Sequence, residues 1–379
     1  AVLDNNPGAM PKTPRRTPSR RPAAPSSGPR SATRSATRAV AQDALLRRFV
    51  DFQQRHAWRE IDAVERIWAT SDLHAEHDAN LAFIDSLDGY ERDALVVAGD
   101  VCTSLALLRR VMPVLVAKFR HVFYVAGNHE LWHDAETDGV DSFEKLLTIY
   151  ELVTALGAHA APAVLGSKVV VMPLQSWYHT GFTRGTVVDM PRGHPLSMMD
   201  GGCRWPSCLG GSSVSSKLAR FFAKCNEEAI AQAASWTSWC SCVSFSHFLP
   251  HAELHRTHPS ALRDGLADVE GSCLLGEQVA RLAPAVHVFG HTHFSIDQTI
   301  GGVRYLQHPL GNPQEREPSA SICNRTTARQ PLGEVWSAAD PDGSARRQSD
   351  PSELSRWLVS LGAQWQAPGQ RPRVPKRDK

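Results

Sequence analysis

Residues 95–100 read Leu95-Val96-Val97-Ala98-Gly99-Asp100: four apolar residues, a glycine, then a carboxylate. A run that is apolar at every position belongs to a strand covered on both faces. The same pattern recurs on either side. Upstream, Ile67-Trp68-Ala69 leads into Ser71-Asp72-Leu73-His74. Downstream, Val122-Phe123-Tyr124-Val125 leads into Gly127-Asn128-His129-Glu130, Val243-Ser244-Phe245 into Ser246-His247, and Val286-His287-Val288-Phe289 into Gly290-His291-Thr292-His293. Val169-Val170-Val171-Met172 is a further strand-like run. Helical spacing appears between these runs, near 79–88, 105–119, 141–156, 216–235 and 275–282. Apolar strands alternating with helices predict an α/β layered fold around a buried sheet.

The rest of the chain is bounded by composition. Of 379 residues, 42% are hydrophobic and 21% charged, which excludes a wholly disordered chain. No apolar run approaches the roughly 18–20 residues of a membrane-spanning helix. Residues 1–40 hold eight Lys and Arg against the single Asp4, whereas the remainder holds 33 basic and 38 acidic residues. A mildly acidic body argues against nucleic acid as the partner. Eight cysteines without paired spacing read as reduced thiols, which favours an intracellular, cytoplasmic protein. The seven prolines of residues 1–40 predict a disordered basic tail, with an organelle-import segment as the second reading. Residues 41–63 are expected to hold an amphipathic helix packed on the core, built on Leu45, Phe49, Phe52 and Trp58. Residues 179–215, rich in Gly, Pro, Ser and Met, predict a long loop over the sheet end. The segment 313–379, with eight prolines, reads as a largely disordered tail carrying at most a short helix near 352–362.

Five strand-like runs end in residues of metal-ligand type. In an open α/β sheet such ends lie along one rim, where ligands bind. That rim would gather Asp72, His74, Asp100, Asn128, His247, His291 and His293. So much charge and so many lone pairs are costly to bury without a cation. Seven nitrogen and oxygen donors suit two divalent ions, with Asp100 the natural bridge. Gly99, Gly127 and Gly290 are expected to let the backbone turn beside them. Mixed imidazole and carboxylate donors suit Mn, Fe or Zn. Two ions about 3.5–4 Å apart form a clamp for displacement at phosphorus and lower the pKa of a water between them towards about 7. His129, beside Asn128, is placed to act as general acid on the leaving oxygen.

The order Asp-x-His, Gly-Asp, Gly-Asn-His-Glu, His, Gly-His-x-His resembles the calcineurin-like metallophosphoesterases over residues 64–312. The resemblance implies a four-layer α/β/β/α sandwich and hydrolysis of a phosphorylated small molecule or other phosphoester. It also implies that Asp72, His74 and His293 hold one metal and Asn128, His247 and His291 the other, with Asp100 bridging and His129 catalytic. The chain departs from two subclasses. Thr103 stands where the protein Ser/Thr phosphatases place an Asp against the catalytic histidine, and Ser104 where they place a phosphate-gripping Arg. The metal-binding Tyr of the purple acid phosphatases is missing at Thr103 too. Ser176-Trp177-Tyr178-His179, Ser246-His247-Phe248-Leu249-Pro250 and Val303-Arg304-Tyr305-Leu306-Gln307-His308-Pro309-Leu310-Gly311-Asn312-Pro313 resemble uncharacterised plant and protist members, which implies no substrate. A catalytically silent metal-binding scaffold and a nuclease are the alternative readings.

Other candidates are weaker. His77, His133 and His251 read as supporting or solvated residues, and His255 and His258 as surface. His179 is the best of these for touching phosphate. Cys203, Cys208, Cys240 and Cys242 lack the usual zinc spacings, and Cys102 reads as buried packing. Trp177 and Tyr178 read as core or wall.

Overall fold

β-Branched residues suit a pleated surface, and here both of its faces are covered. The computed structural model describes residues 30–133, 141–191, 193–237, 240–255, 266–316 and 331–340. In chain order these form α1 (Arg30–His56), β1 (Arg59–Ile61), β2 (Arg66–Thr70), α2 (Asp78–Ser86), β3 (Ala94–Ala98), α3 (Leu105–Lys118), β4 (His121–Val125), α4 (Ser142–Ala155), β5 (Ala163–Leu165) and β6 (Val169–Pro173). There follow α5 (Ser216–Thr237), β7 (Ser241–Phe245), α6 (Cys273–Leu282), β8 (Val286–Phe289), β9 (Ile296–Ile300), β10 (Val303–Gln307) and β11 (Gly333–Ser337). Each strand-like run, and each helical stretch expected between those runs, is present within a few residues of its expected bounds.

The strands form two mixed sheets, ordered β1-β5-β6-β7-β8-β10-β9 and β11-β2-β3-β4. The alternation of β3 shows the layering. Ala94, Val96 and Ala98 face an apolar layer shared with Val169, Val243 and Val286 of the other sheet. Leu95 and Val97 face the opposite way, towards Leu108 and Leu115 of α3 and Leu146 of α4. A third layer packs Val170 and Met172 of β6 beneath Ala229 of α5 and Val279 of α6. Helix, sheet, sheet, helix is the α/β/β/α sandwich that the resemblance implied, and the strand runs expected in one sheet divide between two. Helix starts are set by local chemistry. Ser104 accepts from Leu107 N to begin α3, and Asp141 accepts from Phe143 N and Glu144 N to begin α4.

Three expectations need correction. Helix α1 begins at Arg30, inside the segment expected to be a tail. Pro29 is the last of the seven prolines, so nothing beyond it bars a helix. Its Phe49 and Phe52 are buried against Tyr150 of α4, with ring centroids 6.2 and 5.7 Å away. Each such ring contributes about 1.5–3 kcal/mol to holding α1 in place. Second, the ordered fold continues past Asn312. The turn Pro313–Arg316 follows, and β11 pairs antiparallel with β2, burying Leu332, Val335 and Trp336. Third, the 179–215 segment is more than a covering loop. It carries three short turns and buries Phe182, Trp205 and Leu209. Residues 1–29 and the candidate helix at 352–362 lie outside the described residues. Among the described residues, no helix is long and apolar enough to cross a membrane.

Candidate metal centre

The carboxyl ends of β2, β3 and β4 in one sheet meet those of β7 and β8 in the other. Backbone bonds fasten the loops together there: Asp72 N to Gly99 O (3.0 Å), His74 N to Asp100 O (3.0 Å) and Gly290 N to His247 O (2.9 Å). Two ligand groups result, Asp72 with His74 and His293, and Asp100 with His247 and His291. Within each, one ligand atom per residue lies within 4.8 Å of the others. Asn128 joins the second group, its Oδ1 2.9 Å from His247 Nε2 and 3.0 Å from His291 Nδ1. All seven residues expected at the rim therefore meet, in two clusters. His129 sits beside them, its Nε2 3.9 Å from Asp100 Oδ2 and its side chain 27% exposed.

The donor set fits a pair of cations. In His247, Nδ1 donates to Ala98 O (2.8 Å). In His291, Nε2 donates to Val269 O (3.0 Å), and in His293, Nδ1 meets Glu315 Oε2 (2.7 Å). Each of these rings thus has its far nitrogen occupied and its near nitrogen turned inward, the arrangement that fixes a metal-binding tautomer. His74 Nε2 and His293 Nε2 lie 3.0 Å apart. Two nitrogens each about 2.1 Å from one cation at roughly a right angle would have that spacing.

Without a cation the rings must share protons with the carboxylates. Burial alone would lower His247, but Asp100 beside it raises it to about 9. Burial likewise opposes charge on His293, yet Asp72 and Glu315 lift it to about 9. Burial, reinforced by neighbouring His247, drives His291 down to about 3 against the opposing pull of Asp100. Burial would raise Asp100, but His247 and His129 hold it well below the usual carboxylate range.

The glycines act differently from expectation. Only Gly99, at φ +85°, needs the left-handed region among Gly99, Gly127 and Gly290. At Gly127 the reason is space: a Cβ would sit 2.1 Å from Asp100 Oδ1. At Gly290 a Cβ would sit 2.8 Å from Ala98 O and 3.0 Å from Asp72 Oδ2.

Several functional residues escaped the sequence reading. Glu130 stood inside a quoted motif without a role. Its buried carboxylate accepts from Asp100 N (3.0 Å), Val101 N (2.5 Å) and Gly127 N (2.7 Å), locking the loops after β3 and β4 together. Burial and Asp100 raise it to about 7. Glu315 lay in the expected tail. Its burial opposes ionisation, but His293 and Asn312 hold it at about 2. Asp200 lay in the 179–215 loop with no local signal. At position 103 the Thr103 carbonyl accepts from buried Lys145 Nζ (2.9 Å).

The secondary candidates sort clearly. His179 is fully buried, its Nδ1 on Thr180 O and its Nε2 accepting from Cys273 N (3.0 Å), so no ring nitrogen is open to phosphate. His77 meets Asn312 Oδ1 (3.1 Å), and the His251 ring accepts from Glu253 N. His255 is not simply surface but pairs with Glu270 (2.5 Å). His258 lies outside the described residues. Cys203 and Cys208 pack against the α3–α4 core and Cys240 and Cys242 in the layer under α5 and α6. None of the four belongs to a metal-capable group among the described residues.

Residues 65–198 match the family model described as calcineurin-like phosphoesterase. A 73-residue stretch is 40% identical to the acyl-carrier-protein phosphodiesterase PptH of Mycobacterium tuberculosis, covering 19% of this chain and 22% of that protein. The match thus spans about a fifth of that curated relative. The crystal structure of phosphopantetheinyl hydrolase (PptH) from Mycobacterium tuberculosis superposes with a TM-score of 0.52 at 18% identity, over 73% of this chain and 97% of that one. At that identity the superposition speaks for the fold, two sheets flanked by helices. Motif order and family match agree: over residues 65–198 the chain is similar to the calcineurin-like phosphoesterases.

Proposed function

We propose that this protein is a metal-dependent phosphoester hydrolase. The observation that carries the reading is the meeting of seven inward-turned ligand side chains, from both sheets, beside a partly exposed histidine. Asp72, His74 and His293 would hold one divalent cation, Asn128, His247 and His291 a second, and Asp100 would lie between them. Mn, Fe or Zn suits this donor set. Bound there, the cations would supply positive charge to the phosphoryl oxygens and acidify a water for attack at phosphorus.

The chain's own groups supply the rest. Asp100, beside both His247 and His129, balances cationic charge at the centre. His129 keeps its ring at the open edge, where it can hand a proton to the departing oxygen. The relative's name makes a phosphodiester the first substrate to try, ahead of monoesters.

The test is a panel of mono- and diester substrates with the Mn²⁺-reconstituted protein, alongside metal analysis. Asp100→Asn and His291→Ala should lose metal and turnover together. His129→Ala should keep its metal and lose about 10²–10⁴-fold on substrates with poor leaving groups. Undiminished turnover by fully metal-stripped protein would refute the reading. Metal binding without turnover on any ester would favour the silent scaffold, and cleavage confined to DNA or RNA the nuclease.

A further inference from the structure

Asp200 meets the centre from outside the five ligand-bearing motifs. It sits in the 179–215 segment, 7% exposed, at φ +51°. Its Oδ1 accepts from Asn128 Nδ2 (2.9 Å) and also from Trp132 Nε1 (2.7 Å). The Trp132 ring in turn lies over the His129 ring, with centroids 3.9 Å apart and planes tilted by 32°. The segment is fitted to this neighbourhood. His133 N donates to Gly202 O (2.8 Å), and a Cβ on Gly202 would press on Trp132 Cγ at 3.2 Å.

An amide side chain presents an oxygen or an NH₂ group depending on which way it is turned. A carboxylate accepts only. Asp200 therefore takes the NH₂ edge of Asn128 and leaves its Oδ1 facing His247 and His291. The negative charge behind the NH₂ also pushes electron density towards that oxygen, making it a better donor to a cation. Turned the other way, Asn128 would aim NH₂ at the cation and repel it.

The second bond acts on His129. Thr103 stands where the protein Ser/Thr phosphatases place an Asp against this histidine, so the ring takes its support elsewhere. Trp132 supplies a stacked face, and its indole NH is fixed by the same carboxylate oxygen that fixes Asn128.

We propose that Asp200 is a positioning residue, holding the Asn128 amide oxygen towards the metal and, through Trp132, the His129 ring towards the leaving group. The proposal rests on the hydrolase reading above. The 179–215 segment thereby supports both a metal ligand and the proton donor.

The test starts from metal-stripped protein titrated with Mn²⁺ by calorimetry, with folding checked by circular dichroism. Asp200→Asn should weaken one of two binding events by about 10–100-fold and leave the other unchanged. In an Asn128→Ala background the same substitution should change affinity by less than about twofold, because the group it acts through is gone. Trp132→Phe should leave both affinities unchanged. It should lower turnover on a poor leaving group about tenfold more than on an activated one. Folded Asp200→Asn that binds both ions like the parent overturns the proposal, as does an equal loss in the Asn128→Ala background. If Asp200→Asn fails to fold, Trp132→Phe decides: an unaltered dependence on the leaving group overturns it. A parent protein that binds no metal fails the hydrolase reading itself, whereas an insensitive Asp200→Asn in an active, metal-loaded parent fails this proposal alone.

Discussion

Adding one methyl group at Gly127 tests the architecture of the centre most directly. Gly127 has no left-handed φ, so Ala there carries no conformational penalty of that kind. The cost is steric. The new Cβ would lie 2.1 Å from Asp100 Oδ1, 2.7 Å from Asp100 N and 2.8 Å from Asp100 Cγ. Two of these atoms belong to a side chain whose Oδ1 already accepts from His129 N (3.0 Å), and the third to a backbone NH bonded to Glu130 (3.0 Å). Neither can give without breaking a bond. Overpacking costs about 1–3 kcal/mol, and a lost hydrogen bond to a buried charged acceptor about 1.5–3 kcal/mol. Gly127→Ala should therefore lose about 3–5 kcal/mol, read as a urea midpoint shift. It should also lose Mn²⁺ affinity, because Asp100 is displaced. Gly185→Ala is the control: its Cβ meets nothing within 4 Å, and only the φ of +65° is unfavourable, costing about 1 kcal/mol without touching metal binding. If Gly127→Ala kept both the parent midpoint and the parent metal content, the close approach of the β3 and β4 loops would be wrong.

Other perturbations separate the supporting groups. Glu315→Ala should weaken one Mn²⁺ binding event by about 10–100-fold, measured by titration of stripped protein, since Glu315 orients His293. In metal-free protein the same pair has a pH signature. Glu315, lowered from 4.5 to about 2, stabilises fully above pH 4.5 and loses that as pH falls towards 2; His293, raised from 6.5 to about 9, stabilises fully below pH 6.5 and loses that as pH rises through 9. The stability gap between parent and Glu315→Ala should thus be widest between pH 4.5 and 6.5 and narrow on both sides. Burial lowers His287 from 6.5 to about 3, with its ring between Ser244 (2.7 Å) and Ser246 (3.0 Å). The folded state binds fewer protons than the unfolded one there, so stability is full above pH 6.5 and falls as pH drops towards 3; His287→Asn should lack on the order of 3 kcal/mol of the parent's loss between pH 7 and 4, by urea midpoints. Arg316 donates to Leu310 O (3.0 Å), Gly311 O (2.9 Å) and Asn80 Oδ1 (2.7 Å), and Asn80 Nδ2 donates to Leu73 O (2.8 Å) beside the first ligand pair. Arg316→Ala should cost about 2–4 kcal/mol through these stranded acceptors, again read as a midpoint shift.

The rim ligands were readable because each follows a strand run directly. Parallel pairing brings Asp72, Asp100 and Asn128 to one edge of one sheet and His247, His291 and His293 to one edge of the other, and the face-to-face packing of the two sheets brings those edges together. The groups that hold those ligands carry no such signal. Glu315 lies in a stretch of Gly, Asn, Pro and Gln whose composition is that of a turn, and only the folded chain brings it to His293. Asp200 is flanked by Met and Gly and reaches Asn128 across 72 positions of sequence. β11 is only five residues long and starts two residues after Pro331, too short for its pattern to stand out, yet Val335 and Trp336 complete the inter-sheet layer. Periodicity reports which face of an element is buried, not which distant carboxylate will stand behind a histidine.

The ligand backbones show what the centre costs the fold. Asp72, His74, Asp100, His291 and His293 hold φ of 53°, 40°, 56°, 79° and 59°, a region that side chains with a Cβ avoid. Each such residue costs about 1–3 kcal/mol, and this persists only where surrounding bonds over-determine it. Here they do: Asp72 N and His74 N are tied to the β3 loop, and His291 N donates to Asp72 Oδ1 (2.9 Å). Glycine at these positions would relieve the strain and remove the ligand. Five of the nine non-glycine residues with positive φ among the described residues thus gather at the rim, where the ligand chemistry lies. Cations that bind the folded state alone would offset that cost by mass action, which couples metal binding to the order of the rim loops.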